Sequence, residues 1–129
     1  MIPLRSKVPA ALAAFVCAAL IGLAAHAGAA SAAELIVFRT AHCPHCVAFE
    51  REIGRTYGQS AEARQAPLRR VDMDARRPAD LTRIRGVEGT PTFVLMHEGH
   101  EVGRIEGYPG SRLFYPELRK LLARIDPKT

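Results

Sequence analysis

Two cysteines three positions apart, Cys43 and Cys46 in the segment TAHCPHCV, are the residues of this chain best suited to chemistry. Their types and spacing permit a redox-active disulfide, a metal site or simple core packing. A structural disulfide across so short a loop removes little entropy from the unfolded chain, so stabilisation is a weak reason for the pair. Thiol chemistry therefore explains the spacing better than stabilisation does.

A helix that begins at this pair would give the two sulfurs different roles. The apolar run Glu34 to Arg39 is typical of a short strand buried on both faces, and helical spacing begins at Pro44. Cys43 would then lie at the helix N-terminus, where free N–H groups and the helix dipole favour a thiolate. Cys46 would lie one turn further on, within disulfide reach. We therefore expect an exposed, attacking Cys43 and a sheltered, resolving Cys46.

The two residues between the cysteines are expected to tune them. Pro44 fits the first helical turn without losing a hydrogen bond, and it stiffens the loop between the sulfurs. His45 can place a donor or a positive charge beside Cys43, which would lower the pKa of Cys43 and favour the dithiol over the disulfide.

Metal binding is an alternative use of the same segment. His42 and His45 stand beside the cysteines and are suitable ligand types, but a zinc site usually draws ligands from two separated segments. His97 and His100 could supply the second segment, although a predicted hairpin turn would hold them away from Cys43. We assign no metal site, and copper(I) binding by the thiolates stays open as an alternative.

Residues 1–33 are typical of a secretory signal peptide. Arg5 and Lys7 precede the alanine-rich run Val8 to Ala25, and no acidic residue occurs before Glu34. Cleavage is predicted between Ala27 and Glu34. The alternative is an uncleaved anchor, but the run has fewer than the ~20 strongly apolar residues that a spanning helix needs.

Export to the periplasm would set the redox conditions and the charge of the remaining domain, residues 34–129. Cys17 is expected to leave with the signal peptide, so the two other cysteines remain where thiols tend to be oxidised. Loss of Arg5 and Lys7 reduces 18 basic residues to 16 against 13 acidic ones, a net charge of +3. So small and dispersed a charge does not indicate a nucleic-acid partner.

Strand and helix patterns alternate along the rest of the chain. Strands are predicted at Glu34 to Arg39, Leu68 to Met73, Thr92 to His97 and Glu101 to Ile105. Helices are predicted from Pro44 to Gly58, from Pro78 to Arg85 and from Ser111 to Ile125. This β-α-β-α-β-β-α order makes the first two strands parallel and the last two an antiparallel hairpin.

The last helix should pack on the sheet through one apolar stripe. Pro116 interrupts that stripe, so either the helix kinks there or its regular part begins at Tyr115 or Pro116 after a turn. The residues assigned to the stripe are Leu113, Phe114, Leu118, Leu121, Leu122 and Ile125.

CPHC and the later segment GVEGTPTFV, Gly86 to Val94, together resemble the thioredoxin superfamily, in particular its small periplasmic members and the thioredoxins of sulfur-oxidation clusters. The resemblance implies a thioredoxin-like α/β fold with a central mixed four-stranded sheet and no bound cofactor. It implies a cis Thr90–Pro91 bond with Pro91 facing the cysteines. The backbone of Thr90 would then be free to pair with an extended substrate peptide, and His42 would also contact substrate.

Three features depart from one or another branch of the superfamily. CPHC is the motif of DsbA-type oxidants, but the chain has no room for their inserted helical domain, and Thr90 resembles the residue found in DsbC-type isomerases and periplasmic reductases. Val37 stands six residues before the first cysteine, where thioredoxins carry a buried acid. Proton transfer at Cys46 must then use another group or water.

These motifs predict a periplasmic thiol–disulfide oxidoreductase that acts as a monomer on a disulfide-bearing substrate protein. Cys43 would attack the disulfide and Cys46 would resolve the mixed disulfide. The resemblance to small single-domain members of the superfamily implies the reducing direction, with electrons from a membrane thiol transporter of the DsbD or CcdA type, in sulfur oxidation or cytochrome c maturation. A DsbA-like oxidant and a copper(I) carrier without turnover are the alternatives.

Overall fold

A mixed four-stranded sheet forms the centre of the protein in a computed structural model that describes residues 33–125. The strands are β1 (Ala33–Arg39), β2 (Leu68–Asp72), β3 (Thr92–His97) and β4 (His100–Glu106). They lie in the order β2-β1-β3-β4. β1 is parallel to β2 and antiparallel to β3, and β3 is antiparallel to β4, so both predicted pairing directions are confirmed.

The predicted signal peptide and Cys17 lie outside the described residues, with the exception of Ala33. That residue begins β1, where it pairs with His97 and is only 7% exposed. A cut upstream of Ala33 would therefore keep the strand whole, and the cleavage position itself stays a prediction.

β1 is apolar throughout because each of its faces meets a different part of the core. Leu35 and Val37 pack with the helices on one face of the sheet. Ile36 and Phe38 pack on the other face, against a cluster that includes Val71 of β2. A strand with neighbours on both faces needs a continuous apolar run rather than an alternating one.

The segment after β1 is helical but irregular, so the predicted single helix to Gly58 is only partly right. α1 (Pro44–Phe49) continues as a π-helical turn, Glu50–Gly54, and then a 3₁₀ turn, Tyr57–Gln59. A further short helix, α2 (Ala61–Gln65), follows; the prediction did not include it. Its start is capped by Ser60, whose hydroxyl accepts from the Ala63 N–H at 3.0 Å.

The helix predicted from Pro78 to Arg85 is much shorter, a single 3₁₀ turn at Ala79–Leu81. The turn has i→i+3 backbone hydrogen bonds, such as that from the Ile84 N–H to the Leu81 carbonyl at 3.2 Å, and side chains anchor it to the sheet. Leu81 and Ile84 are buried against the sheet, and Arg77 donates to the carbonyl of Ile84 at 2.7 Å. The guanidinium of Arg77 also lies 5.0 Å from the centre of the Phe38 ring.

The last helix, α3 (Ser111–Leu122), begins at Ser111 and runs through Pro116, so the alternative start at Tyr115 or Pro116 is wrong. Leu113 is also corrected: it is 55% exposed and does not belong to the buried stripe. At about 100° per residue, Leu113 lies on the side of Phe114 away from Leu118 and Leu122, so it falls outside the buried face. The buried residues of α3 are Phe114, Leu118, Leu121 and Leu122.

β3 and β4 are joined by the predicted hairpin. Its turn residues Glu98 and Gly99 have φ values of 50° and 78°, the left-handed pair typical of a tight hairpin turn. Between Ala33 and Ile125, no helix combines the length and apolar character needed to cross a membrane.

Candidate active site

Cys43 and Cys46 form a disulfide at the point where β1 gives way to α1, with their Cα atoms 5.2 Å apart. Cys43 is the N-cap residue of α1 and has an extended backbone, so its side chain turns back over the first helical turn. There the Cys43 Sγ accepts a hydrogen bond from the Cys46 N–H at 3.1 Å. After reduction, the same amide would stabilise a Cys43 thiolate.

The predicted difference in exposure between the two cysteines is wrong. Cys43 is 7% exposed and Cys46 is 5% exposed, so both are largely covered in the disulfide state. The residues around them, His42, Pro44 and His45, are exposed. What distinguishes the two sulfurs is their contacts, since only Cys43 meets both a backbone donor and the loop before β3.

Thr90 and Pro91 lie directly against the redox pair. The Thr90–Pro91 peptide bond is cis, and the Thr90 carbonyl oxygen is 3.3 Å from the Cys43 Sγ. Pro91 is buried, and its own carbonyl accepts from the Gly107 N–H at 2.8 Å. The structure therefore brings Thr90 and Pro91 to Cys43, with His42 and His45 exposed beside it.

Two further residues hold the loop that carries Thr90. Thr92, only 2% exposed, donates its hydroxyl to the Gly89 carbonyl at 2.7 Å. Arg104 on β4 donates to the carbonyls of Arg85 and Gly86 at 2.9 and 3.1 Å. Arg104 is not recognisable from the sequence as part of the site, because these partners are 19 and 18 residues away.

A groove of about 330 Å³ opens on the side of the pair where Cys46 lies. Val37 is buried, with 1% exposure, so the position six residues before Cys43 holds no acid. The ionisable side chains around Cys46 belong to this groove instead. Its lining consists of Arg39, Thr40, Ala41, Cys46, Val47, Glu50, Arg51, Arg55 and Asp72.

Tyr108, in the loop after β4, connects the surroundings of Pro91 to the redox helix. Its hydroxyl donates to Glu52 at 2.7 Å, and its ring packs against Phe49 with centroids 5.7 Å apart. The hydrogen bond from Tyr108, assisted by Arg51, lowers the pKa of Glu52. Burial, followed by the bond to Glu52, raises the pKa of Tyr108.

His97 and His100 are not near the cysteines. They pair with each other at the β3–β4 turn, and His97 also pairs with Ala33, at the opposite end of β1 from Cys43. Within residues 33–125, no three or more His, Cys, Asp and Glu side chains are grouped so as to hold a metal ion.

The chain belongs to the thioredoxin-like domain family, whose model matches residues 24–122. The fold, the cysteine pair and this match confirm the predicted superfamily and identify a thioredoxin-superfamily thiol oxidoreductase. The periplasmic thioredoxin SoxS from Paracoccus pantotrophus, solved in its reduced form, is similar over 73% of this chain and 99% of its own, with 38% identity and a TM-score of 0.68.

Two other solved structures show more distant similarity. A thioredoxin from Thermus thermophilus has 29% identity and a TM-score of 0.57, and the match covers 71% of this chain and 75% of that one. Trxlp from Edwardsiella tarda has 25% identity and a TM-score of 0.56, covering 69% and 84% respectively. A comparison with curated proteins gave no match.

Proposed function

We propose that this protein is a periplasmic thiol–disulfide oxidoreductase that reduces a disulfide of a partner protein. The observation that carries the proposal is the Cys43–Cys46 pair at the start of α1, with the Cys43 sulfur between the Cys46 amide and the Thr90 carbonyl. The Cys46 N–H can stabilise the Cys43 thiolate, and the backbone of Thr90 beside it is where a substrate peptide can bind.

The reaction begins from the dithiol. The Cys43 thiolate attacks one sulfur of the partner disulfide, forming a mixed disulfide and releasing the other partner sulfur as a thiolate that takes up a proton. Cys46, deprotonated by water or a group of the groove, then attacks the Cys43 Sγ. The second partner sulfur leaves, the partner has gained two electrons, and the Cys43–Cys46 disulfide is formed.

Substrate binding is assigned to the exposed rim of the pair. The Thr90 backbone would pair with an extended segment of the substrate, and His42 would contact the same segment. His45 and Pro44 would tune the reduction potential of the Cys43–Cys46 pair without contacting the substrate. The Cα separation of 5.2 Å keeps Cys46 within reach of Cys43 throughout, so the mixed disulfide is resolved within one molecule.

The reducing direction and the periplasmic location rest on two supports. SoxS, a periplasmic thioredoxin, shares 38% identity with this chain, and residues 1–33 have the pattern of a signal peptide. A membrane thiol transporter of the DsbD or CcdA type would return the pair to the dithiol. Sulfur oxidation is the favoured setting, and cytochrome c maturation is the alternative.

Insulin reduction with dithiothreitol tests the reaction. The wild-type protein should accelerate precipitation of the insulin B chain, and Cys43→Ser should abolish the acceleration. Cys46→Ser should instead accumulate a mixed disulfide that a non-reducing gel resolves. Equal activity of the wild type and Cys43→Ser would overturn the proposal.

A DsbA-like oxidant is the second candidate, favoured by the CPHC motif itself. The reduction potential of the Cys43–Cys46 pair separates the two directions. We expect a value close to that of thioredoxin, about −270 mV, rather than that of DsbA, about −120 mV. His45→Tyr should make the pair more reducing, and an unchanged potential would show that His45 does not tune Cys43.

A further inference from the structure

The groove beside Cys46 is bordered by more positive charge than its own acids neutralise. Three arginines, Arg39, Arg51 and Arg55, line it together with the acids Glu50 and Asp72. Exposed arginines are ordinary on a protein surface. Here, however, three arginines line one groove that also contains a redox cysteine, so the partner of each charge matters.

Most of the charges near the groove have partners. Arg51 pairs with Glu52 at 3.1 Å. Glu50 is held by Arg70, which donates to both carboxylate oxygens at 2.6 and 2.9 Å. Asp72 accepts the N–H of Asp74 at 2.8 Å.

Arg39 and Arg55 are the exceptions. Among the residues that the structure describes, neither guanidinium has a hydrogen bond or an ion pair. Arg39 and Arg55 therefore line a groove that reaches Cys46, and within that lining Asp72, the register partner of Arg39, is the one carboxylate without an ion pair. A guanidinium offers paired N–H groups that match a carboxylate in a bidentate arrangement, so the group that the groove lacks is an acid.

We propose that this groove binds an acidic side chain of the disulfide-bearing substrate, so that the enzyme prefers disulfides with Asp or Glu close to the cysteine. The inference rests on the proposed function and specifies its substrate class. Cys46 lines the groove, whereas Cys43 contacts Thr90, so the redox pair lies between the groove and the backbone that would hold the peptide.

Because Cys46 and the two arginines line the same groove, the acid should lie close to the attacked cysteine in the substrate sequence. An extended peptide advances about 3.3 Å per residue, so an acid one or two positions from the attacked cysteine lies within about 7 Å of it. Val47, which also lines the groove and is 56% exposed, offers an apolar contact beside the two arginines. The exchange reaction itself is unchanged, since the acid only positions the disulfide.

Two matched peptides carrying the same disulfide provide the test, one with Asp two positions on either side of the cysteine and one with Asn there. All other residues of the two peptides are identical. The measured quantity is the ratio of kcat/KM for the Asp peptide to kcat/KM for the Asn peptide. Two partly exposed ion pairs predict a ratio of about 3 to 10 at low salt. The ratio should fall towards 1 in high salt because exposed charges are screened.

The ratio should also fall to about 1 in the double variant Arg39→Gln/Arg55→Gln, because both unpaired cations are then absent. Arg64→Gln/Arg83→Gln is the matched control: both arginines are exposed and outside the groove, and their removal lowers the net charge by the same two units without touching the site. This variant should keep the wild-type ratio.

Three results would overturn the inference. A ratio of 1 in the wild type would show that the groove does not select for acids. If both peptides still underwent Cys43-dependent exchange in that case, the proposed function would be unaffected. A preference retained in the double variant would place the selecting charges elsewhere. Absence of Cys43-dependent exchange with either peptide would remove the proposed function and this inference together.

Discussion

The Cys43 sulfur lies 3.3 Å from the carbonyl oxygen of Thr90 and 3.1 Å from the amide nitrogen of Cys46. These two contacts act on the thiol in opposite ways. The amide stabilises the thiolate, whereas the carbonyl accepts from the protonated thiol and repels the anion. The position of the Thr90 loop therefore affects the reactivity of Cys43, and the residues that hold this loop are the first to test.

Thr92→Val should destabilise the protein by about 1–2 kcal/mol, because it removes the donor to the Gly89 carbonyl and leaves the shape of the side chain nearly unchanged. The hydroxyl bond is 2.7 Å long, and Thr92 is only 2% exposed, so water cannot readily replace the donor. Urea denaturation of the oxidised protein measures the change.

Thr82→Val is the control for Thr92→Val. Thr82 makes the same kind of bond, from its hydroxyl to the carbonyl three residues earlier, Ala79, at 3.0 Å. It is exposed, so water can take the place of the hydroxyl, and we expect a cost below about 0.5 kcal/mol. Equal costs at the two positions would show that the buried bond at Thr92 has no special weight.

Arg104→Lys should loosen the segment that leads to Thr90. The Arg104 guanidinium donates to the carbonyls of Arg85 and Gly86, and it also grips both carboxylate oxygens of Glu101 at 2.6 and 2.8 Å. A lysine keeps the charge but cannot reach all four acceptors. We expect a loss of about 1 kcal/mol in stability and faster amide hydrogen exchange over residues 85–91.

Arg119→Lys is the matched control for Arg104→Lys. Arg119 makes one contact, with Glu62 at 2.9 Å, and its side chain is 58% exposed. We expect the exchange rates of residues 85–91 and the midpoint of unfolding to stay as in the wild type. Faster exchange over that segment in both variants would mean that the Arg104 bonds do not hold the loop.

The sheet and the cysteine pair are predictable from the sequence because their signals are local. An apolar run bounded by polar residues marks β1, and a strand followed by CPHC marks the junction that holds Cys43. The contact of Thr90 with Cys43 is predictable only through the resemblance to thioredoxins, since nothing local indicates that residues 47 positions apart will meet.

The features that the sequence does not predict depend on tertiary contacts. The burial of Cys43 arises from the Thr90 loop that lies against it. The segment 78–85 has the capping residues of a helix but is held by Arg77, Leu81 and Ile84 in another form. The roles of Arg39 and Arg55 depend on which neighbouring charges are already paired, and only the folded structure shows that.

Tyr108→Phe should lower the melting temperature by a few degrees near neutral pH and by less in acid. The Tyr108 hydroxyl lowers the pKa of Glu52 below its ordinary value of 4.5, so the bond stabilises the fold above that pH and is lost as the pH falls through the native pKa. The raised pKa of Tyr108 keeps its hydroxyl protonated as the pH rises to 10.0. Above that pH, the contribution of the Tyr108–Glu52 bond to stability declines.

Thermal melts of Tyr108→Phe and the wild type across the range from about pH 3 to pH 9 should therefore converge at the acid end. Tyr115→Phe is the control, since the structure gives the Tyr115 hydroxyl no hydrogen-bond partner among residues 33–125. The difference in melting temperature between Tyr115→Phe and the wild type should stay the same as the pH falls. A constant difference for Tyr108→Phe over the same range would contradict the link to Glu52.

Phe114→Ala should cost about 3–5 kcal/mol, because it opens a cavity at the centre of an aromatic cluster. Phe114 is 0% exposed, and one of its neighbours, Phe49, lies on α1 with ring centroids 5.2 Å apart, so the cavity would also loosen the helix that carries Cys46. The rings around it are Phe49, Tyr57, Phe93, Tyr108 and Tyr115. Leu113→Ala on the same helix is the control: at 55% exposure it should cost less than about 1 kcal/mol. Guanidinium denaturation measures both, and similar costs at the two positions would show that α3 does not pack on the core through Phe114.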